Sequence, residues 1–296
     1  MLQTEKKAYA KINLHLDVLS RYPDGYHEVF TVMQSLSLCD DVKITLDNTF
    51  LGIKVYCDDT NVPTDDKNIV CRAARMFFSE IDKEPESGIA IEIKKRIPVS
   101  AGLGGGSADA AAVLCALNEL FGMPVSFERL LAIGGSIGAD VPFCMTGGCV
   151  YAKGKGDELY DLSPIPECFI VVARGGEGVS TPLAYAALDK KYNNFSPQSY
   201  LPYNAEPLLE AIRGGRIKEI AKRLYNIFED AVFPERPIAK RIKEILFEGG
   251  AINALMSGSG TAVFGIFDSK DAAFSVAERI KALGYFATVT TPTDKI

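Results

Sequence analysis

The sequence predicts an α+β fold built as two domains. Three observations point to it. The chain has 296 residues, 47% of them hydrophobic and 24% charged, which is enough for two ordinary cores. Strands in its first third alternate apolar with polar residues, unlike the continuously apolar strands of a buried parallel sheet. Its last third reads as a strand, several helices, two strands, a helix and a strand, an order that suits a ferredoxin-like layer. No internal repeat or low-complexity segment interrupts it.

Residues 8–18 alternate strictly. Ala8, Ala10, Ile12, Leu14, Leu16 and Val18 share one face, and Tyr9, Lys11, Asn13, His15 and Asp17 share the other, so a half-buried strand is expected. Pro23-Asp24-Gly25 breaks the chain, and strand-like runs follow at 42–46 and 53–57. Residues 68–78 read as a helix, and 89–94 alternate again as a strand with one wet face. A glycine-rich loop over 99–107 then opens an alanine-rich helix over 108–121. That helix is apolar nearly all round, hence buried, and is stopped by Gly122 and Pro124. A helix at 126–133 leads into 134–142, and a hairpin-like run at 147–159 closes the first half. Residues 162–166, Leu-Ser-Pro-Ile-Pro, read as a linker dividing the chain into 1–162 and 163–296. Beyond it come a strand at 169–173, helices to about 247, a strand pair over 252–267 turning at Gly258-Ser259-Gly260, a helix at 271–283 and a last strand to 291.

The formal net charge of −6 argues against a nucleic-acid partner held by a basic face. Seven cysteines stand at 39, 57, 71, 115, 144, 149 and 168 without a CxxC pair, and two histidines complete the inventory. A structural zinc site is not expected, and cysteines in apolar runs read as reduced, buried small hydrophobes. The opening MLQTEKKAYAKINL lacks the apolar core of a signal peptide, and no window approaches the ~18 uncharged apolar residues of a spanning helix. The expectation is a cytoplasmic protein, monomer or homodimer, with no membrane partner.

Between Pro98 and the buried helix lie Gly102, Gly104, Gly105 and Gly106, within five residues of one another. Glycines let the backbone approach phosphate oxygens, and the helix N-terminus supplies unpaired N–H donors and a positive dipole end. Ser107 stands where a hydroxyl reaches a phosphate or its metal ion, or where it caps the helix. Two standard nucleotide loops fail. A Walker A loop needs Gly-Lys before Ser or Thr, and no glycine here precedes Lys-Ser or Lys-Thr. A dinucleotide fingerprint from Gly102 and Gly104 would need Gly or Ala at position 107.

Residues 98–111, PVSAGLGGGSADAA, resemble the phosphate loop P-x-x-x-G-L-G-S-S-A-A of the GHMP kinases, named for galactokinase, homoserine, mevalonate and phosphomevalonate kinases. Three more segments resemble this superfamily in its order: AYAKINLHLDVLSRYPDGYHEV at 8–29, IGADVPFCMTGG at 137–148 and MSGSGTAVFG at 256–265. The extra loop glycine, the D-G-Y-H group and the G-A-D-V-P-F segment resemble the branch whose acceptor is a cytidine-nucleotide-linked sugar alcohol of the non-mevalonate isoprenoid pathway. The resemblance implies a ribosomal-protein-S5-like N-terminal domain, a ferredoxin-like C-terminal domain and an active site in the cleft between them. It also implies transfer of the γ-phosphoryl group of ATP, with Mg²⁺, to a hydroxyl. One departure is Ala108, followed by Asp109, where the family usually has a second serine, so that any hydroxyl contact to the metal there falls to Ser107. Another is Tyr22, inserted before Pro23 in a loop.

By the same resemblance, ATP lies along Pro98, Val99, Ser100, Ala101, Gly102, Leu103, Gly104, Gly105, Gly106, Ser107 and Ala108, with Asn68 beside the adenine. Asn68 at a helix start is equally a cap. Lys11, a solvated lysine by pattern, becomes the ammonium that stabilises charge on the transferring phosphoryl group, and Asn13, on the same face, orients the substrate. Asp140, by pattern a turn or cap aspartate, becomes the general base paired with Lys11, or a group that positions the hydroxyl when proton transfer is late. Tyr26 and His27 read the cytosine by stacking and hydrogen bonding. Thr181 lies near the substrate, Gly258-Ser259-Gly260 closes over the cleft, and His15 is structural. Rival readings are a homoserine or mevalonate kinase, which leaves the Asp24-Gly25-Tyr26-His27 group unexplained; a silent binding protein, against which Lys11 and Asp140 speak; and a dinucleotide-dependent oxidoreductase, against which Ser107 speaks.

Overall fold

The computed structural model describes residues 2–83, 85–196 and 198–294. In chain order the elements are β1 (Gln3–Arg21), β2 (His27–Asp47), β3 (Ile53–Cys57), α1 (Ile69–Glu80), β4 (Gly88–Lys94), α2 (Gly105–Leu120), α3 (Phe127–Ile137), α4 (Val141–Thr146), β5 (Cys149–Lys153) and β6 (Glu158–Asp161). The second half holds β7 (Phe169–Arg174), α5 (Thr181–Lys191), a 3₁₀ turn (Asn193–Phe195), α6 (Glu206–Arg213), α7 (Ile217–Lys222), β8 (Tyr225–Asn226), α8 (Glu229–Val232), α9 (Pro237–Glu248), β9 (Asn253–Met256), β10 (Val263–Phe267), α10 (Lys270–Ala282) and β11 (Phe286–Thr290).

The first sheet has seven strands, in the order β3-β4-β2-β1-β8 with β5 and β6 branching from β2. The long β1–β2 ribbon is its spine, and α1 to α4 cover one face over a core of Val70, Phe77, Ala110, Leu114, Leu117 and Phe143. Phe77 is fully buried there and meets Phe78 edge-on at 5.5 Å. Phe77→Ala should cost about 3–5 kcal/mol, read as a lower urea midpoint with an unchanged slope.

The second sheet has the order β11-β7-β10-β9, every neighbouring pair antiparallel. Numbered within the layer this is 4-1-3-2, the ferredoxin-like arrangement expected from the element order. The two halves are not packed as separate bodies. β8 adds two residues, in parallel, to β1, and Ile12, Leu14 and Val32 share a core with Leu209, Ile212, Ile220 and Phe264.

That packing overturns one expectation. β1 is not half-buried, because Lys11, Asn13, His15 and Asp17 are as inaccessible as the apolar residues between them. A register shift between Asn13 and His15 changes which face each residue presents. Lys11, Asn13 and Leu16 line a cleft, while His15 is buried against Phe30, Tyr203 and Tyr225 with neither ring nitrogen hydrogen-bonded. Burial alone lowers its pKa to about 4, so it sits there neutral, as a structural residue would.

Candidate active site

The glycine-rich segment enters its helix earlier than the pattern suggested. α2 begins at Gly105, so Ser107 lies inside the first turn and is not the cap; Gly104 is the N-cap, in the left-handed region at φ 71° with no side-chain bond. The first intrahelical bond runs from Ala108 N to Gly104 O at 2.8 Å, so the amides of residues 105–107 have no acceptor inside the helix. A Cβ on Gly104 would stand 2.9 Å from Lys11 Cγ. Only a residue without a side chain lets the loop lie against the lysine stem.

Lys11 is anchored at both ends. Its backbone N–H donates to Leu103 O at 2.9 Å, tying β1 to the phosphate loop. Its ammonium donates to Asn13 Oδ1 at 2.8 Å and lies 3.4 Å from Asp140 Oδ2. Asp140 occupies the N-cap position of α4 but its carboxylate makes no cap bond, so it is free to face the cleft. Asn13 is almost fully engaged by the protein: Oδ1 also accepts from Gly258 N at 3.0 Å, and Nδ2 donates to Thr31 at 2.8 Å. It is a joint between Lys11, β2 and the 257–260 turn.

That turn is packed backbone to backbone on the phosphate loop. Ser257 Oγ donates to Gly102 O at 2.9 Å, and Ala262 N donates to Ala101 O at 3.0 Å. Asn226, buried in β8, holds the turn from behind by donating to Met256 O and Gly258 O at 2.7 and 2.8 Å. Thr181 reaches it from α5, its hydroxyl 3.0 Å from Ser259 Oγ.

Beside the loop, Lys95 donates to Asp40 at 2.5 Å and to Asp109 Oδ2 at 2.8 Å, with Asp40 fully buried and Lys95 and Asp109 nearly so at the edge of the cleft. Burial pushes the Asp109 carboxyl up despite Lys95. For Lys95 burial acts downward, and the two carboxylates outweigh it to leave its pKa raised. The cluster joins the end of β4 to the second turn of α2, one on each side of the loop.

At the far end of the cleft, His27 opens β2 one residue after the Pro-Asp-Gly turn. Its ring stacks on Tyr185 at 4.6 Å, and Nε2 lies 2.6 Å from Asp189 Oδ1. Tyr26 is 63% exposed, with the Lys155 ammonium 4.3 Å from its ring centre; Lys155 is itself held by Asp24 at 2.7 Å.

One cavity of about 1040 Å³ runs past all of these groups. It is lined by Lys11, Asn13, Tyr26, His27, Asn68, every residue from Pro98 to Ser107, Asp140 and Thr181. Asn68 both lines it and caps α1, accepting from Val70 N at 3.0 Å. Ala108 is the exception among the expected residues. Its methyl is buried in the core beneath α2 and its N–H is spent on Gly104. Tyr185, Asp189, Lys155 and Asn226 were not anticipated. None lies in a motif: α5 brings Tyr185 and Asp189 against His27, β8 pairs with β1, and the turn between β5 and β6, of which β5 pairs with β2, carries Lys155.

Loop, helix end and Lys11–Asp140 pair, in a cleft between a mixed sheet and a ferredoxin-like layer, define a kinase of small molecules. Family models agree: the GHMP kinases N terminal domain matches residues 68–148 and the GHMP kinases C terminal matches 208–285. The chain is 44% identical to 4-diphosphocytidyl-2-C-methyl-D-erythritol kinase of Caldicellulosiruptor bescii, over 93% of each chain. It is 43% identical to the protein of the same name from Caldicellulosiruptor saccharolyticus, over 93% of this chain and 92% of the relative. A crystal structure of 4-(cytidine 5'-diphospho)-2C-methyl-D-erythritol kinase superposes with a TM-score of 0.80 at 34% identity, covering 98% of this chain and 99% of that one. The chain belongs to the GHMP kinase family, in the branch whose members carry the name 4-diphosphocytidyl-2-C-methyl-D-erythritol kinase.

Proposed function

We propose that this chain transfers the γ-phosphoryl group of ATP to the 2-hydroxyl of 4-diphosphocytidyl-2-C-methyl-D-erythritol, giving the 2-phosphate and ADP, in the non-mevalonate isoprenoid pathway of the cytoplasm. The observation that carries this reading is a single cavity with two chemically different ends. One holds a phosphate loop beside Lys11 and Asp140, and the other an aromatic and imidazole wall of Tyr26, His27 and Tyr185. A nucleotide-linked acceptor fits that polarity, whereas homoserine or mevalonate gives the aromatic end nothing to hold.

The amides at the start of α2 bind phosphate oxygens, helped by the helix dipole. Lys11 sits where equatorial charge develops on the transferring group and stabilises it there. Asp140 accepts the hydroxyl proton or fixes the hydroxyl in line for attack. The donors suit Mg²⁺ arriving on the nucleotide, because magnesium takes few protein ligands and completes its shell with phosphate oxygens and water. Ser107, whose hydroxyl faces the turn before Asp140, about 4.0 Å from where a Cβ on Gly138 would stand, would hold it. When bound, it neutralises charge between the phosphates. Residues 1–162 supply the nucleotide site and the reacting groups, and residues 163–296 supply Thr181, Tyr185, Asn226 and the 257–260 turn. The working unit is a monomer or homodimer.

The test is ATP consumption with Mg²⁺ across four acceptors: the diphosphocytidyl compound, methylerythritol phosphate, homoserine and mevalonate. Turnover confined to the cytidyl compound is the expected result. Comparable turnover with an acceptor lacking cytidine would keep the kinase and discard the roles given to Tyr26 and His27.

A further inference from the structure

We infer that Asp189 decides which ring nitrogen of His27 carries hydrogen, and so makes this site accept cytosine and reject uracil. The inference rests on the acceptor reading proposed above and deepens it.

His27 is one of only two histidines in the chain. Its imidazole is held between the face of Tyr185 and the ring of Phe195, met edge-on at 5.9 Å. Nε2 lies 2.6 Å from Asp189 Oδ1. A carboxylate accepts and does not donate, so the hydrogen belongs on Nε2, and in the neutral imidazole Nδ1 is left as a lone pair. No hydrogen bond to Nδ1 exists among the described residues, yet Nδ1 is not one of the buried side-chain atoms that lack a partner. Nδ1 therefore keeps some accessible surface, and the open space that His27 lines, together with Tyr26 and Tyr185, is the cleft.

A base brought against that lone pair must offer an N–H. Cytosine does so with its exocyclic amine, while uracil places a carbonyl oxygen at the same ring position. Two lone pairs would then face each other. Sites built around a particular substrate hydrogen bond discriminate strongly against the analogue that lacks it, because the site's own polar group is left unpaired.

Asp189 is in turn oriented by Arg21, whose Nη1 lies 3.4 Å from Oδ2 while donating to Asn194 Oδ1 at 2.9 Å. Tyr185 and Asp189 are four residues apart on α5, hence on one face, so the stacking partner and the hydrogen-bond partner of His27 come as a unit. Arg21 also makes Asp189→Asn an informative change. The guanidinium favours the amide oxygen, which turns the NH₂ group toward His27. Nε2 must then accept, and the hydrogen moves to Nδ1. Volume and contacts are kept, but the group shown to the base changes from acceptor to donor. Asp189 is thus a positioning residue that acts through His27.

Two readouts test this on the full-length protein. Long-range ¹⁵N–¹H spectra of the imidazoles, assigned with His27→Asn, should give the Nε2–H tautomer for His27 in wild type and the Nδ1–H tautomer in Asp189→Asn. Kinetics should compare cytidine- and uridine-diphosphate-linked methylerythritol. Wild type should favour the cytidine compound by about 10²-fold or more in kcat/KM, and Asp189→Asn should reduce that ratio at least tenfold. A role in holding the fold alone would lower both substrates together and leave the ratio unchanged, which would overturn the inference. An Nδ1–H tautomer or a doubly protonated ring in wild type would overturn it as well. Turnover of neither compound by wild type, with the Nε2–H tautomer in place, would mark the acceptor reading as the failure and remove the base-reading role with it.

Discussion

Asp140→Asn should lower kcat by about 10²–10⁴ while the KM for ATP changes little and the unfolding midpoint stays near wild type. The carboxylate is the one acidic group within reach of the Lys11 ammonium among the described ion pairs, at 3.4 Å. Its helix does not need it, since α4 gains no side-chain cap bond from it. Asparagine keeps the shape and removes the ability to take a proton. A loss near the upper end of the range would mean proton abstraction in the transition state. A loss near the lower end would mean that a loose transition state asks the residue mainly to align the hydroxyl. Lys11→Met should be similarly damaging, and the double variant little worse than either single one, because residues that act as a unit are not additive. Activity within tenfold of wild type in Asp140→Asn would remove the carboxylate from the chemistry. Rapid-quench single-turnover kinetics separate the chemical step from product release and make that reading unambiguous.

The local pattern of the chain carried part of this site. A glycine cluster before an alanine-rich helix has the parts of an anion-binding helix end, and the alternation around Lys11 and Asn13 puts both on one strand face, while the roles expected of Lys11, Asn13, Asp140, Tyr26 and His27 came from the resemblance to the GHMP kinases. Where the pattern misled, a long-range contact was responsible. The polar face of β1 reads as solvated because alternation reports amphipathicity and not what covers the polar side; here the phosphate loop and the 257–260 turn meet Lys11 and Asn13, Tyr203 and Tyr225 cover His15, and Tyr200 and Tyr203 hold Asp17. The 108 boundary for α2 fails for a different reason. Glycine counts as a breaker in a local reading, yet Gly105 and Gly106 sit inside the first helical turn, because a Cβ at 105 would come to 3.0 Å from Ile97. Ala108, assigned to the nucleotide by the resemblance of the loop, points the other way for the simple reason that successive helical residues are about 100° apart. Asp189 and Asn226 left no trace in the sequence, since an aspartate late in a helix and an asparagine between apolar residues have many bland uses. Their partners lie 162 and 30–32 residues away.

Gly102→Ala should lower kcat/KM for ATP by about 10²-fold, although the residue touches no reacting group in its own right. Gly102 has φ 79°, where an alanine is strained by about 1–2 kcal/mol. A Cβ there would also stand 2.1 Å from Ser257 O, a backbone atom of the opposing turn that cannot swing aside as a side-chain tip would. Either the phosphate loop or the 257–260 turn must move by about 1 Å. Both routes reach the chemistry: Leu103 O binds the backbone of Lys11, and Gly258 N binds the same Asn13 oxygen that accepts from the Lys11 ammonium. The loss should therefore fall on kcat as well as on KM, and Gly258→Ala, with φ 56° and a Cβ 2.9 Å from Gly102 O, should reproduce it from the other side of the interface. Gly122→Ala is the control, since that glycine also has a positive φ but an added Cβ there meets nothing within 4 Å. It should lose stability through backbone strain alone and keep its turnover number. Equal kinetic effects at 102 and 122 would mean that loop strain, and not the contact between the two glycine turns, governs the position of Lys11.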